Sequence, residues 1–330
     1  MITLGIESTA HTMSCGILHN NTILADVRSI YRPPQGEGIH PREASRHHVE
    51  QGPKVLAECL REGGVNIEDV DIISYAGGPG LGPCLRVGAV MARALSIHYD
   101  IPIYPIHHAI GHIDLGRILT GATDPLVLLV SGGHTMILAF LSEQWRVFGE
   151  TLDITLGQLL DQFGRSLGLA SPCGQNIERM AHQDKQYATL PYTVRGNDVS
   201  FSGLLSAAKS LAKSVGDNRA CYSLQETAFA MIAEAVERAL SLTGKTELMI
   251  VGGVAANQRL SSMLREACNR HDCAFYAVPP KYAGDCGVQI AATGMLESTV
   301  KEPVRIQDTF IRQSWRLDSV VIRYSAPVAS

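Results

Sequence analysis

The sequence predicts an α/β fold built from two related halves, and three observations predict it. Strand-like apolar runs alternate with helical stretches through the 330 residues. A strand–turn–strand pattern at residues 2–18, turning through Glu7-Ser-Thr-Ala-His-Thr12, recurs at 126–141 around Ser131-Gly-Gly-His-Thr135. Each copy opens a block of about half the chain, the mark of a duplication. The expected units are therefore 1–123 and 124–300, with 301–330 packing back on the first.

The first block begins with its hairpin. Pro41 to Glu62 then reads as a helix, with Ala44, His47, His48, Val55, Leu56, Cys59 and Leu60 in 3.6-like spacing. Asp71-Ile-Ile-Ser-Tyr-Ala76 is a short strand that enters Gly77-Gly-Pro-Gly-Leu-Gly-Pro83. A helix of small residues follows from Cys84 to Ile97, and Ile101-Pro-Ile-Tyr-Pro-Ile106 is the next strand. In the second block a long helix is expected from Leu224 to Leu242, starting at the capping-box pattern Ser223-Leu-Gln-Glu226 and ending at Gly244. Strand Glu247–Val251, the turn Gly252-Gly-Val-Ala-Ala-Asn257 and a helix to Arg270 complete the pattern.

Composition narrows the function classes. Hydrophobic residues make up 45% and charged ones 18%, so the chain can fill a sizeable core, and disorder or collagen is excluded. With 28 Lys+Arg against 32 Asp+Glu and a pI near 6.3, a general polyelectrolyte binder is disfavoured. The acidity is uneven: residues 1–150 hold 10 basic and 15 acidic side chains, net -5, and residues 151–330 hold 18 and 17, net +1. Arg305, Arg312, Arg316 and Arg323 near the end, with Arg42, Arg46 and Arg86, are candidate phosphate contacts. The eight cysteines include no Cys-x-x-Cys, and Met1–Glu7 lacks a basic leader, so a reduced, cytoplasmic protein is expected. The longest apolar stretch, Pro125–Leu141, is interrupted by Ser131–Thr135, and no membrane span is expected.

The strongest chemical signal is His108-Ala-Ile-Gly-His112. An i, i+4 pair on a helix sets both imidazoles on one side, as two metal ligands require. The pair directly follows a strand end, where open α/β sheets bind ligands. Asp285, in Ala283-Gly-Asp-Cys-Gly287, is a candidate third ligand, and two His with one carboxylate leave coordination positions open. A metalloprotease would need Glu beside the first His, and Ala109 stands there. Three small-residue turns at strand ends, Glu7–Thr12, Ser131–Thr135 and Gly252–Asn257, favour a nucleotide. Two look-alikes fail. Leu240-Ser-Leu-Thr-Gly-Lys-Thr246 ends a helix and lacks the first Walker glycine, and Leu85 breaks a dinucleotide fingerprint after Gly77.

Taken together, Gly5-Ile-Glu-Ser-Thr-Ala-His11, His40-Pro-Arg-Glu-Ala44 with His47-His48, Gly78-Pro-Gly-Leu-Gly-Pro-Cys-Leu-Arg-Val-Gly88, His108…His112, Val130-Ser-Gly-Gly-His-Thr135, Phe201-Ser-Gly-Leu204, Ser223-Leu-Gln-Glu-Thr-Ala228 and Gly252–Asn257 fall in one family's order. The chain resembles the TsaD/KEOPS catalytic subunit family, the tRNA threonylcarbamoyladenosine transferases, in its archaeal and eukaryotic branch. The resemblance implies the actin/Hsp70/sugar-kinase fold. It also implies transfer of a threonylcarbamoyl group from threonylcarbamoyl-adenylate to N6 of the adenosine 3′ of the anticodon in tRNA, with release of AMP. By position it assigns one divalent metal, iron with zinc as the alternative, to His108, His112 and Asp285. It assigns the adenine nucleotide to Leu129, Val130, Ser131, Gly132, Gly133, Asp161, Gly174, Glu178 and Asn257, where Asp161 and Glu178 can accept from ribose hydroxyls. Glu7 is a candidate general base.

The resemblance further implies KEOPS-type partners that include a small kinase. The pattern Trp315-Arg-Leu-Asp318 matches the family's own C-terminal region, so that kinase is expected on a separate chain. The sequence departs from the archaeal pattern at three places: Leu129 replaces a Tyr that supplies a further metal ligand, Cys173-Gly-Gln175 replaces Gly-Gly-Pro, and Cys286 replaces the Asn of Asp-Asn-Gly. Competing classes are an ATP-dependent small-molecule kinase of the same fold and a non-catalytic nucleotide-gated scaffold.

Overall fold

A computed structural model describes residues 1–325, and it divides the chain into two compact units. The first comprises Met1–Arg32, Ile39–Gly121 and residues 285–325; the second comprises Pro33–Gly38 and Ala122–Gly284. The last five residues of the expected 301–330 segment lie outside the described residues.

The first unit opens with the antiparallel strands β1 (Ile2–Glu7), β2 (Thr12–His19) and β3 (Thr22–Ile30). Helix α1 (Pro41–Gly63), strand β4 (Ile72–Gly78), helix α2 (Gly82–Tyr99), strand β5 (Ile103–His107) and helix α3 (His108–Thr120) follow. The sheet order is β3-β2-β1-β4-β5, with β1, β4 and β5 parallel. Its core gathers Leu4, Ile6, Met13, Ile17, Ile73 and Tyr75. These residues come from strands buried on both faces, which explains their near-continuous apolar runs.

The second unit repeats the plan. Strands β6 (Leu126–Val130), β7 (Thr135–Leu141) and β8 (Gln144–Glu150) are antiparallel. Helices α4 (Leu156–Ser166) and α5 (Gly174–Ala181) come next, then a small ribbon of β9 (Val194–Arg195) and β10 (Asp198–Val199). Helices α6 (Ser202–Val215) and α7 (Asp217–Thr243), strand β11 (Glu247–Val251), helix α8 (Gln258–Arg270), strand β12 (Ala274–Ala277) and the short α9 (Pro280–Ala283) complete it. The order β12-β11-β6-β7-β8 has the same strand directions as the first sheet, so the sequence echo is a duplication of topology. Phe163, Phe201, Leu224 and Phe229 pack in its core with Leu128 and Ile250.

Helix α10 (Gly287–Ser298) then returns to the first unit. The expected division at 301 is therefore corrected to Asp285. The reason is the packing of α10, whose small residues admit direct backbone contact with β1 and β2: a Cβ on Gly16 would lie 2.2 Å from the Val288 nitrogen. A second correction concerns α7. It starts at Asp217, so Ser223 is an interior, buried residue whose hydroxyl donates to the Arg219 carbonyl at 2.9 Å. Ala220 and Cys221 extend the buried face upstream, and that burial outweighs the local capping pattern. The predicted end holds, with Gly244 in the left-handed region at φ 65°. All eight cysteines are buried free thiols, and among the described residues no helix is long and apolar enough to cross a membrane.

One consequence of this packing is a pH dependence. His48 on α1 is fully buried, and its pKa falls from 6.5 to about 4 because burial, then the neighbouring His47 and His11, disfavour its charge. An unfolded His48 takes up a proton below about pH 6.5 that the fold refuses until about pH 4, so this stability is present above 6.5 and is lost on acidification. The expected loss across that window is on the order of 3 kcal/mol. Urea unfolding of wild type and His48→Asn between pH 7.5 and 4.5 checks it. Equal acid slopes for the two proteins would remove His48 as the cause.

Candidate functional site

Strand β5 runs straight into α3, so its last residue, His107, leaves His108 as the first helical residue. His112 lies one turn later on the same face, and the two imidazole centroids are 4.8 Å apart. Asp285, which begins the return to this unit, meets them: its Oδ1 is 3.3 Å from His112 Nε2 and 3.6 Å from His108 Nε2. The three ligating atoms lie within 4.8 Å of one another, and both histidines are buried. Among the described residues His112 Nε2 has no hydrogen-bond partner, although Asp285 Oδ1 lies 3.3 Å away. A buried ring nitrogen without a partner, facing a carboxylate and a second ring nitrogen, fits a divalent cation.

Behind the triad the donor atoms are held in place. His108 Nδ1 donates to Glu7 Oε2 at 2.9 Å, and Glu7 Oε1 accepts from the Thr9 amide at 2.6 Å. Glu7 is fully buried at the end of β1. Its oxygens thus orient the imidazole so that Nε2 faces Asp285, the arrangement of a carboxylate behind a metal-binding His. In this structure Glu7, the expected general base, faces His108 and the Thr9 amide. Sequence reasoning missed Gln289, whose Nε2 lies 3.2 Å from His108 Nδ1 and 3.5 Å from Glu7 Oε2. Its spacing of four from Asp285, on the first turn of α10, was the available signal.

The charges follow from this geometry. Burial opposes a charged His108, but Glu7 and Asp285 overcome it and hold its pKa at about 9. Burial lowers the pKa of His112, and the charge on His108 adds to that effect. Burial works against ionised Asp285, yet His112 and His108 keep it well below the usual carboxylate range. Replacing Glu7 by Gln is expected to weaken divalent-metal binding by about 10- to 100-fold with little loss of structure. A metal titration followed by circular dichroism tests this, and unchanged affinity would remove the orienting role.

The nucleotide candidates all lie in the second unit. Leu129 and Val130 are fully buried in β6, so only their backbone can face a ligand. The turn behaves differently from expectation. Ser131 Oγ accepts from the amides of Gly133 and His134 at 3.2 and 3.0 Å, so those N–H groups are committed within the turn. With its lone pairs used, the Ser131 hydroxyl keeps its proton to donate. Gly132 and Gly133 are exposed, with open space where a Cβ would stand. Thr155 caps α4 beside this turn, its hydroxyl donating to the Gly132 carbonyl at 3.0 Å.

Asp161 on α4 accepts from Ser171 Oγ at 2.6 Å and from the Cys173 amide at 3.2 Å, which fixes the loop ahead of Gly174. Gly174 opens α5 with free space at its Cα. Glu178 Oε1 accepts from the Gln258 amide at 2.8 Å, while among the described residues its Oε2 meets no partner. The Asn257 side chain is occupied: Oδ1 caps α8 at the Arg259 and Leu260 amides, and Nδ2 donates to Gln225. The tail arginines are less available than expected, since Arg305 pairs with Asp308 and Arg316 with Asp318, each at 2.7 Å. Arg46 likewise pairs with Glu43 at 2.8 Å.

Comparison with known proteins adds to this geometry. The ROK hexokinase from Thermus thermophilus matches with a TM-score of 0.51 at 14% identity, over 91% of this chain and 100% of that one. The duplicated sheets are thus the actin/Hsp70/sugar-kinase-like fold. A "tRNA N6-adenosine threonylcarbamoyltransferase" from Caldivirga maquilingensis is 46% identical over 100% of both chains. A "probable bifunctional tRNA threonylcarbamoyladenosine biosynthesis protein" from Methanothermobacter thermautotrophicus is 46% identical over 97% of this chain and 60% of its own length. The family model for TsaD, tRNA N6-adenosine threonylcarbamoyltransferase, matches residues 22–292. With its motifs in order along both units and this match over most of its length, the chain belongs to the tRNA N6-adenosine threonylcarbamoyltransferase family.

Proposed function

We propose that the protein transfers the threonylcarbamoyl group from threonylcarbamoyl-adenylate to N6 of the adenosine 3′ of the anticodon in tRNAs reading codons that begin with A. The N6 lone pair attacks the carbamoyl carbon and a C–N bond forms. The C–O bond to the adenylate phosphate breaks, AMP leaves with that electron pair, and N6 loses a proton. Because that lone pair is delocalised into the ring, the reaction depends on orientation and on polarisation of the carbonyl. The observation that carries the reading is the His108–His112–Asp285 triad, with both imidazoles buried, in a chain of this family.

His108, His112 and Asp285 would hold a divalent ion, which would supply Lewis-acid polarisation of a substrate oxygen. Two imidazoles and one carboxylate are the donor set of a non-haem iron site. Cys286 points its thiol at Gln289 Oε1, 3.7 Å away, which favours iron over a zinc site with a thiolate ligand. Glu7 keeps His108 Nε2 directed at Asp285, and both imidazoles are buried. In the second unit, the Ser131 hydroxyl donates to the adenylate phosphate, the open Gly132–Gly133 and Gly174 backbones admit the nucleotide, and Glu178 Oε2 accepts from a ribose hydroxyl. Leu129, Val130 and Asn257 contribute backbone contacts, and Asp161 holds the loop before Gly174.

We further infer KEOPS-type partners, among them a small kinase, and a cytoplasmic setting. The bifunctional name of the Methanothermobacter relative and the paired arginines of an acidic chain support dependence on partners. The deciding assay combines purified protein, its partners, unmodified tRNA and labelled threonylcarbamoyl-adenylate, scored by nucleoside analysis. Labelled threonylcarbamoyladenosine is expected. ATP consumption without tRNA and without that product would replace this reading by a small-molecule kinase.

A further inference from the structure

The chain after α10 returns across the first unit and seats itself in the glycine-rich loop at the end of β4. The Arg312 amide donates to the Gly77 carbonyl at 2.7 Å, and the Gly80 amide donates to the Gln313 carbonyl at 3.2 Å. A Cβ on Gly78 would stand 2.0 Å from the Arg312 oxygen, and one on Gly82 would stand 2.2 Å from Gln313 Nε2. The glycine-rich loop with the broken dinucleotide fingerprint is therefore a bed for this segment.

From that anchor the segment reaches α3, the helix of both histidine ligands, at its N-cap residue His107 and at Asp114. His107 Nε2 donates to the Trp315 carbonyl at 3.1 Å, the two rings pack edge-on at 5.1 Å, and the Arg312 guanidinium covers the Trp315 ring at 4.8 Å. His107 directly precedes His108. Further along, the buried Tyr324 hydroxyl donates to Asp114 Oδ2 at 2.7 Å, two residues beyond His112. The same Asp114 oxygen accepts from Thr293 at 2.9 Å, and Thr293 lies on α10, the helix that follows Asp285. One buried carboxylate thus joins the tail, the helix carrying the imidazoles and the helix next to the third ligand.

We propose that the segment Arg312–Tyr324 is a positioning strap: by holding α3 at His107 and Asp114 it sets the spacing of His108 and His112 from Asp285, and with it the affinity for a divalent cation. The proposal rests on the metal reading above. Trp315 and Tyr324 are positioning residues, since neither touches the ligating atoms. Two contacts of the tail lie away from α3: Arg93 Nε donates to Thr309 Oγ1 at 2.5 Å, and the Tyr75 hydroxyl donates to the Phe310 carbonyl at 3.4 Å. They give a control for mere stabilisation.

The test is a Co(II) titration by absorbance on the full chain, with thermal unfolding recorded for every variant. Tyr324→Phe, which removes one hydroxyl and keeps the ring, is expected to raise the Co(II) dissociation constant about tenfold, and Trp315→Ala to raise it at least as much. Trp315→Phe should recover most of that loss. Thr309→Val should lower the melting temperature but leave Co(II) affinity within about twofold of wild type. If Trp315→Ala fails to fold, Tyr324→Phe decides. Near-wild-type affinity in Tyr324→Phe, or an equal loss in Thr309→Val, overturns the strap while leaving the metal reading intact. Wild type binding Co(II) no better than His112→Ala overturns both.

Discussion

Asp285→Ala is expected to abolish tRNA modification, lowering transfer by more than about a hundredfold, while the protein stays folded. Asp285 is the carboxylate that both Nε2 atoms face, at 3.3 and 3.6 Å. Without it, two imidazoles remain, one of them carrying a proton shared with Glu7. The fold should survive because Asp285 lies at a junction, ahead of α10, and supports no apolar packing of its own. Bound metal by elemental analysis, far-ultraviolet dichroism and nucleoside analysis of the tRNA give three independent readings. Near-wild-type transfer by this variant would sink the triad as the reaction centre, whatever its metal content.

Gly16→Ala is expected to be strongly destabilising for the first unit. Its Cβ would enter at 2.2 Å from the Val288 nitrogen, and the reciprocal change at Gly287 would come within 2.1 Å of the Gly16 nitrogen. Both partners are backbone, so neither a rotamer change nor a flexible tip can relieve the clash. The expected cost is about 3 kcal/mol or more, and a melting temperature lower by roughly 5–10 °C. Gly287 starts the helix that follows Asp285, so metal content should fall with stability. Gly203→Ala is the matched control: nothing lies within 4 Å of its Cβ, and it should be neutral or slightly stabilising. A Gly16→Ala protein that melts with wild type would show that α10 does not sit on β2 in this way.

Several side chains were legible in type and illegible in role. Glu7 reads as a carboxylate after a strand and a candidate base; only the structure shows its 2.9 Å bond to His108 Nδ1. Asn257 reads as a turn residue near a nucleotide, but its amide is spent on the first turn of α8 and on Gln225. The Ser223 capping pattern is local chemistry overruled by the burial of Ala220, Cys221 and Leu224 on one long helix. The arginines after Pro303 read as a basic strip, and the structure pairs two of them with acids two or three residues away. In each case the residue's bonding partners, not its identity, decide what it does.

By itself the sequence determined the duplicated α/β plan, the family, and the pairing of His108 with His112. Each of these is a local or repeating signal: alternating apolar runs, ordered motifs, and a spacing of four that any α-helix turns into one face. Only the tertiary structure decided that Asp285 lies against both imidazoles from more than 170 residues away. It alone set Glu7 and Gln289 behind them, bedded the tail in the Gly77–Gly82 loop, and placed the return to the first unit at Asp285. Those contacts depend on sheet order and on how closely α10 approaches β1 and β2. No sequence period encodes such distances, because they arise where two elements far apart in the chain exclude water from the same small volume.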